Sequence, residues 1–211
     1  MAIYNQLKQN YMDNGGYRIA DQYATYFLTF SVVGWMDLFT RRECKDILID
    51  SFKYCQEKKG LMLYAFAVME SHIHLIASAD YKSSGLSDIV RDFKKFTSKA
   101  IIHWIQDNPA ESRRDWLDVV FKYFGKYNPR NTTYQLWQQD NCPKVCLMPE
   151  FTMQKVNYIH YNPVVAGIVD IPSHYRYSSA RNYAGMDDVV LDVIVLDYGP
   201  MVGYVPDWKL Y

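Results

Sequence analysis

The sequence predicts an α+β domain built around an antiparallel sheet, and three observations carry that expectation. Tyr23 to Val33 (YATYFLTFSVV) is dense in β-branched and aromatic residues, the composition of a strand. Leu61–Val68 and His72–Ala79 are two more apolar runs separated only by Met69-Glu70-Ser71, and strands joined by so tight a turn must run antiparallel. Segments of helical period lie between and after them. The order is therefore strand, helix, hairpin, helix, a loop-rich insert and helix.

Each element has its own justification. Residues 1–19 are polar, contain Asn14-Gly15-Gly16 and read as an irregular arm. After the first strand, Thr40-Arg41-Arg42-Glu43 has the form of a capping box, and Ile47, Leu48 and Phe52 supply the apolar stripe of the helix that follows. Lys58-Lys59-Gly60 ends it. From about Leu86 to Ile105, Ile89, Phe93, Phe96 and Ala100 recur at helical spacing while Arg91, Lys94, Lys95 and Lys99 occupy other faces, until Asn108-Pro109 stops the helix. Residues 106–150 give no long element, because Pro109, Pro129, Pro143 and Pro149 interrupt them. Thr152 to Tyr161 is helical and Asn162-Pro163 is its expected stop. Together these make a ferredoxin-like, RRM-like antiparallel sheet with helices packed on one face. The expected division is an arm at 1–19, the main domain at 20–185 and a tail at 186–211.

Composition narrows the function classes. The chain has 211 residues, 49% hydrophobic and 22% charged, enough apolar surface to offset the entropy of ordering, so it is not a disordered chain. No stretch approaches the roughly 20 apolar residues of a membrane helix, and the N-terminus lacks the apolar core of a signal peptide. The expectation is a soluble, cytoplasmic protein with no membrane partner. Aromatics reach 16%, with 19 Tyr, either ordinary half-buried residues or stacking platforms. The net charge of zero is unevenly spread. Met186–Tyr211 holds five Asp and one Lys, a net of −4, so the rest of the chain is at +4. The tail's Val189–Leu196 run suits a strand covering a sheet edge or a partner surface. Cys44, Cys55, Cys142 and Cys146 carry no zinc-knuckle spacing and are read as reduced thiols.

Two motifs carry chemistry. His72-Ile73-His74 sits in a strand, so both imidazoles point to one face, with Cα atoms about 7 Å apart, and can converge on one metal ion. The alternative is a half-buried pair satisfied by backbone. In Tyr158-Ile159-His160-Tyr161-Asn162-Pro163, Tyr158 and Asn162 stand one helical turn apart on one face. They offer a phenol nucleophile and an amide oxygen ligand, or else a buried aromatic and a helix cap. His160 faces elsewhere and is not a candidate.

Taken together, Met69–Leu75 and Tyr158–Val169 resemble the motifs of the single-tyrosine HUH transposases, the IS200-like family, and within it the branch associated with repetitive extragenic palindromes. The resemblance also includes Leu38-Phe39-Thr40, Phe93–Thr97, Leu136-Trp137-Gln138 and Tyr175–Ala180, and so spans roughly residues 20–185. Glu70 and Ser71 depart from it, standing where the family usually has Pro and then Asp or Asn. It implies a nucleoid-associated DNA transposase that nicks single-stranded DNA beside hairpins through a 5′-phosphotyrosine on Tyr158. It implies His72, His74 and Asn162 as ligands of one Mg²⁺ or Mn²⁺, a single-stranded or hairpin DNA partner, and action as a monomer or a homodimer. Arg91, Lys94, Lys95 and Lys99 are candidate phosphate contacts, or a solvated helical face. Trp137, Tyr134 and Tyr127 are candidates to stack on bases, with core packing the competing role. Two rival readings stand beside this one: a catalytically inactive, domesticated DNA-hairpin-binding protein, and a ferredoxin-like binding module whose histidines are structural.

Overall fold

Alternation along the histidine-bearing strand organises the molecule. A computed structural model describes residues 18–128 and 133–198. The arm up to residue 17, Pro129 and the tail beyond residue 198 lie outside the described residues. Strands β1 (Tyr26–Ser31), β2 (Leu61–Val68), β3 (His72–Ala79) and β4 (Lys144–Val145) form one sheet in the order β2-β3-β1-β4, antiparallel throughout. In β3, Ile73, Leu75 and Ala77 enter the main core with Tyr26, Leu28 and Phe30 of β1. His72 and His74 therefore face the other way, opposite Ser31 and Thr29 in the β1 register. The pairing of β2 with β3 slips between Leu63 and Ala65, so Tyr64 is the extra residue of a bulge. That slip keeps Leu61, Leu63, Phe66 and Val68 all in the main core, although strict alternation would have divided them.

Helices α1 (Arg42–Lys59), α2 (Leu86–Asp107) and α3 (Arg114–Lys126) supply the other side of that core through Leu48, Phe52, Phe93, Ile101, Leu117 and Phe121. Phe52 and Phe93 stack with centroids 4.2 Å apart. The opposite face of the sheet is also covered. Phe27, Ala65, Ala67 and Ile76 pack against Val156 and Ile159 of α4 (Pro149–Val165). The α+β class and the antiparallel sheet match the sequence reading, but helices lie on both faces rather than one. The reason is that small and apolar side chains on the histidine face leave a surface that must itself be buried.

Three local expectations are corrected. Thr40 lies in a 3₁₀ turn, Leu38–Thr40, and its hydroxyl donates to the Asp37 carbonyl, so no capping box forms and α1 starts at Arg42. A helix spans Arg114–Lys126 inside the segment that gave none. Finally, α4 runs through Pro163 to Val165, because a proline in the last turn removes only one hydrogen bond. The stop is Gly167 at φ 71°, where the Gly167 N–H donates to the Val164 carbonyl and the Ile168 N–H to the Pro163 carbonyl, each at 2.9 Å. That is a Schellman motif, which needs the left-handed residue.

The chain's C-terminal segments lie along β2's free edge. The Val68 N–H donates to the Tyr177 carbonyl and the Ser179 N–H to the Phe66 carbonyl. The Tyr183 hydroxyl donates to the Tyr64 carbonyl, and the Ile194 N–H to the Leu63 carbonyl. Residues 189–196 thus lie over the sheet edge without forming a strand, and Leu191 is buried in the main core. Asp188 pairs with Arg176 and Arg181. No disulfide joins the four cysteines.

Candidate active site

The turn between β2 and β3 sets the first histidine. It is closed by the Met69 N–H donating to the His72 carbonyl, and anchored by the Val32 and Phe39 N–H groups donating to the carbonyls of Ser71 and Glu70. These are backbone bonds, so Glu70 and Ser71 are accommodated without disturbing the turn. The Glu70 carboxylate acts electrostatically on Lys45 and Tyr175. Ser71 Oγ lies 3.1 Å from His72 Nδ1, and Thr29 Oγ1 lies 2.9 Å from His74 Nδ1. Each imidazole is thereby held by Nδ1. The two rings meet edge to face, centroids 4.7 Å apart.

His74 is 5% exposed, and its Nε2 is buried with no hydrogen-bond partner. An unpaired buried ring nitrogen is a donor atom that could serve as a metal ligand. Burial pushes the His74 pKa down to about 3, with the nearby positive charges of His72 and Lys155 adding to the effect; burial also lowers that of His72. Both rings are then neutral near pH 7, and the tautomer in which Nδ1 donates to its hydroxyl partner leaves the Nε2 lone pair free to bind a cation.

Helix α4 brings Tyr158 to this pair. Val156 and Ile159 dock the helix on the sheet, which turns Tyr158 toward the histidines: its ring lies 5.1 Å from that of His74 and 5.9 Å from that of Phe27. The side chain is 40% exposed, open to a substrate from outside. One turn on, Asn162 Nδ2 donates to the Tyr158 carbonyl at 2.9 Å, and no hydrogen bond links this amide to either imidazole. His160 points into the protein, with Nε2 2.8 Å from Ser179 Oγ, and burial lowers its pKa to about 4. It is structural, as its place on the helix implied.

Lys155, one turn before Tyr158, carries no motif that marks it in the sequence. Its Nζ sits 5.3–5.4 Å from the ring centroids of Phe27, Phe151 and Tyr158, and among the described residues no carboxylate lies within ion-pair distance. Burial, reinforced by the like charge of Lys144, lowers its pKa. An unpaired, half-buried ammonium beside a phenol is a ready anion contact. Only its spacing of three from Tyr158 signalled it in the sequence.

The other candidates separate. Lys94 Nζ donates to the Gln138 carbonyl at 2.9 Å and to Asn141 Oδ1, lies over the Phe30 ring, and is brought down to about 8 by burial. It is an internal tether and not a surface phosphate contact. Trp137 is 6% exposed, packed on Phe30, Phe39 and Phe93, with its indole N–H donating to Thr97 Oγ1 at 3.0 Å. Its face is therefore not offered to a base. Tyr134 bonds Asp118 and Gln106 through its hydroxyl, whereas Tyr127 is exposed. Arg91 pairs with Asp88 and Asp92 on the surface. Lys95 and Lys99 are exposed on α2, across the sheet from Tyr158. No group of three or more His, Cys, Asp or Glu is arranged to hold a metal among the described residues.

Comparisons with known proteins bear on the fold that carries this site. Residues 26–122 match the model of the family described as Transposase IS200 like. No curated protein matches the sequence. Among solved structures, a REP-associated tyrosine transposase bound to a REP hairpin superposes with a TM-score of 0.56 at 18% identity, covering 86% of this chain and 92% of that one. A putative transposase from Deinococcus radiodurans R1 gives a TM-score of 0.38 at 19% identity over 67% of this chain and 92% of the other. The first of these shares the fold, a four-stranded antiparallel sheet with helices. The matched span holds β1, β2, β3 and the histidine pair, and ends before Tyr158. Over that span the chain is similar to the IS200-like transposase family, and it shares its fold with the first of these structures.

Proposed function

We propose that this protein is a transposase that nicks and rejoins single-stranded DNA beside hairpins, with Tyr158 as the nucleophile. The observation that carries the reading is the packing of an exposed phenol against His74, whose Nε2 is buried and unpaired. The structural relative bound to a REP hairpin supports a hairpin as the class of partner. Such a substrate fits work at the nucleoid.

In the reaction, Tyr158 Oη bonds to phosphorus as the bond from phosphorus to the 3′ oxygen breaks. The products are a 5′-phosphotyrosine and a 3′-hydroxyl, and the proton lost by the phenol balances the one gained by the 3′ oxygen. The phosphodiester's energy is conserved, so a new 3′-hydroxyl can reverse the step without ATP. Lys155 neutralises charge on the non-bridging oxygens, and the Phe27, Phe151 and Tyr158 rings around it exclude water from that contact. His72 Nε2, His74 Nε2 and Asn162 Oδ1 are the atoms that would hold one Mg²⁺ or Mn²⁺, which when bound supplies Lewis acidity toward the phosphate. Arg91, Lys95 and Lys99 lie across the sheet, where they suit the duplex stem of a hairpin better than the strand being cut.

The test is covalent capture. The protein is incubated with a labelled hairpin oligonucleotide from its own genomic neighbourhood, with Mn²⁺ or with EDTA, and run on a denaturing gel. A metal-dependent labelled band, absent for Tyr158→Phe and His74→Ala, is the expected result. Salt-sensitive binding without any band would instead support a domesticated hairpin-binding protein.

A further inference from the structure

The turn that follows β1 carries one step beyond this reading, and rests on it. Gly34 and Trp35 adopt φ of 64° and 54° in succession. Glycine takes this left-handed conformation freely, whereas for a bulky aromatic residue it is strained. Trp35 and Cys142 are the two non-glycine residues with positive φ among the described residues. The surroundings hold the strain in place. Flanking the turn, the Val32 N–H donates to the Ser71 carbonyl and the Val33 N–H to the Leu136 carbonyl, and the Trp35 N–H closes on the Val32 carbonyl at 3.1 Å. Gly34 lies against the Phe124 ring, where a Cβ would come within 3.4 Å.

What the strained backbone achieves is the position of the indole. Trp35 is 60% exposed, yet its ring stands edge-on to His72 with centroids 5.7 Å apart. A lone exposed tryptophan is ordinary. One held in a left-handed turn against a candidate metal ligand, at the margin of the site that includes Tyr158, calls for a ligand. The exposed surface is apolar, aromatic and uncharged, so it matches the face of an unpaired nucleobase rather than a phosphate. Strain of this kind concentrates at sites where a side chain must be pre-positioned.

We propose that Trp35 is the stacking platform for the unpaired nucleobase that flanks the phosphate attacked by Tyr158. Stacking recognises a π-face and no particular base, so the contact fixes the strand's position and contributes little sequence preference. It seats the strand on the His72 side while Lys155 engages it on the Tyr158 side.

The test uses the same hairpin oligonucleotide, with an abasic site moved one nucleotide at a time across the cleavage position. Wild-type protein is compared with Trp35→Ala, Trp35→Phe and Trp35→Gly. Trp35→Ala is expected to weaken binding to the intact strand about tenfold, while Trp35→Phe stays within about threefold of wild type. At one abasic position the penalty of Trp35→Ala should vanish, the non-additivity that marks a direct contact. Trp35→Gly relaxes the backbone, so it should keep or raise the thermal midpoint while losing the same affinity, which separates binding from folding. Equal binding by Trp35→Ala, or a penalty that persists at every abasic position, overturns the proposal while covalent capture by the wild type leaves the nuclease reading standing. Wild-type protein that neither binds nor captures the strand overturns both.

Discussion

The ring of Tyr158 stands edge-on to the imidazole of His74, and Thr29 holds that imidazole from the neighbouring strand. Helix, strand and strand thus meet at the His74 ring, whose Nε2 has no hydrogen-bond partner among the described residues. Thr29 sets the direction of that nitrogen. Thr29→Val leaves Nδ1 without its partner, and Mn²⁺ affinity measured by calorimetry should fall by about 10- to 100-fold. Thr29→Ser keeps the hydroxyl and should stay near wild type. An unchanged affinity for the valine variant would show that the ring is oriented by packing alone.

Lys155 should matter for rate and for salt response together. Lys155→Gln is expected to slow covalent capture and to reduce the slope of log affinity against log salt by about one, the signature of one lost phosphate contact. Lys155→Arg keeps the charge and should retain most of the slope. A slope that does not change would remove Lys155 from the DNA-binding surface.

A buried carboxylate governs acid stability. Glu111 accepts hydrogen bonds from Arg41 at 2.6 and 3.1 Å and from the Arg113 backbone at 3.0 Å, and its side chain is fully buried. The Arg41 contact is the largest influence holding its pKa at about 2. A carboxylate with a depressed folded-state pKa stabilises the fold fully above its unfolded value of about 4.3, and the contribution disappears as pH falls through about 2. Glu111→Gln should therefore cost roughly 3 kcal/mol in urea denaturation at pH 7, and its stability should depend less on pH between 5 and 2 than that of the wild type.

Gly167 predicts a smaller and more local loss. Nothing lies within 4 Å of a Cβ built there, so Gly167→Ala acts through φ alone and should cost about 1 kcal/mol, read as a lower thermal midpoint. Gly167→Asn tolerates the left-handed region better and should lose less.

The sequence made the hairpin and the two histidines legible because strand alternation is local: His72 and His74 share a face whatever surrounds them. Tyr158 and Asn162 share a helix face for the same reason. Other features depend on what arrives from afar. Leu117, Val120, Phe121 and Phe124 have helical spacing, but prolines flank the segment and hid the helix. Trp137 reads as a stacking residue until Phe30, Phe39 and Phe93 close over it. Lys94 reads as a surface charge until the loop carrying Gln138 and Asn141 folds over it. Lys155 becomes a site residue only when Phe27 comes up beside Tyr158.

The C-terminal segment along β2 has a consequence for assembly. Outward carbonyls of Leu63, Tyr64, Phe66 and Val68 already accept hydrogen bonds from Ile194, Tyr183, Ser179 and Tyr175 of the same chain. A second copy approaching that margin finds no acceptor ladder to extend, so the sheet cannot be continued from one molecule into the next through β2. Self-association has to use some other surface, and the two ends of the sheet are not equivalent as places for molecules to join.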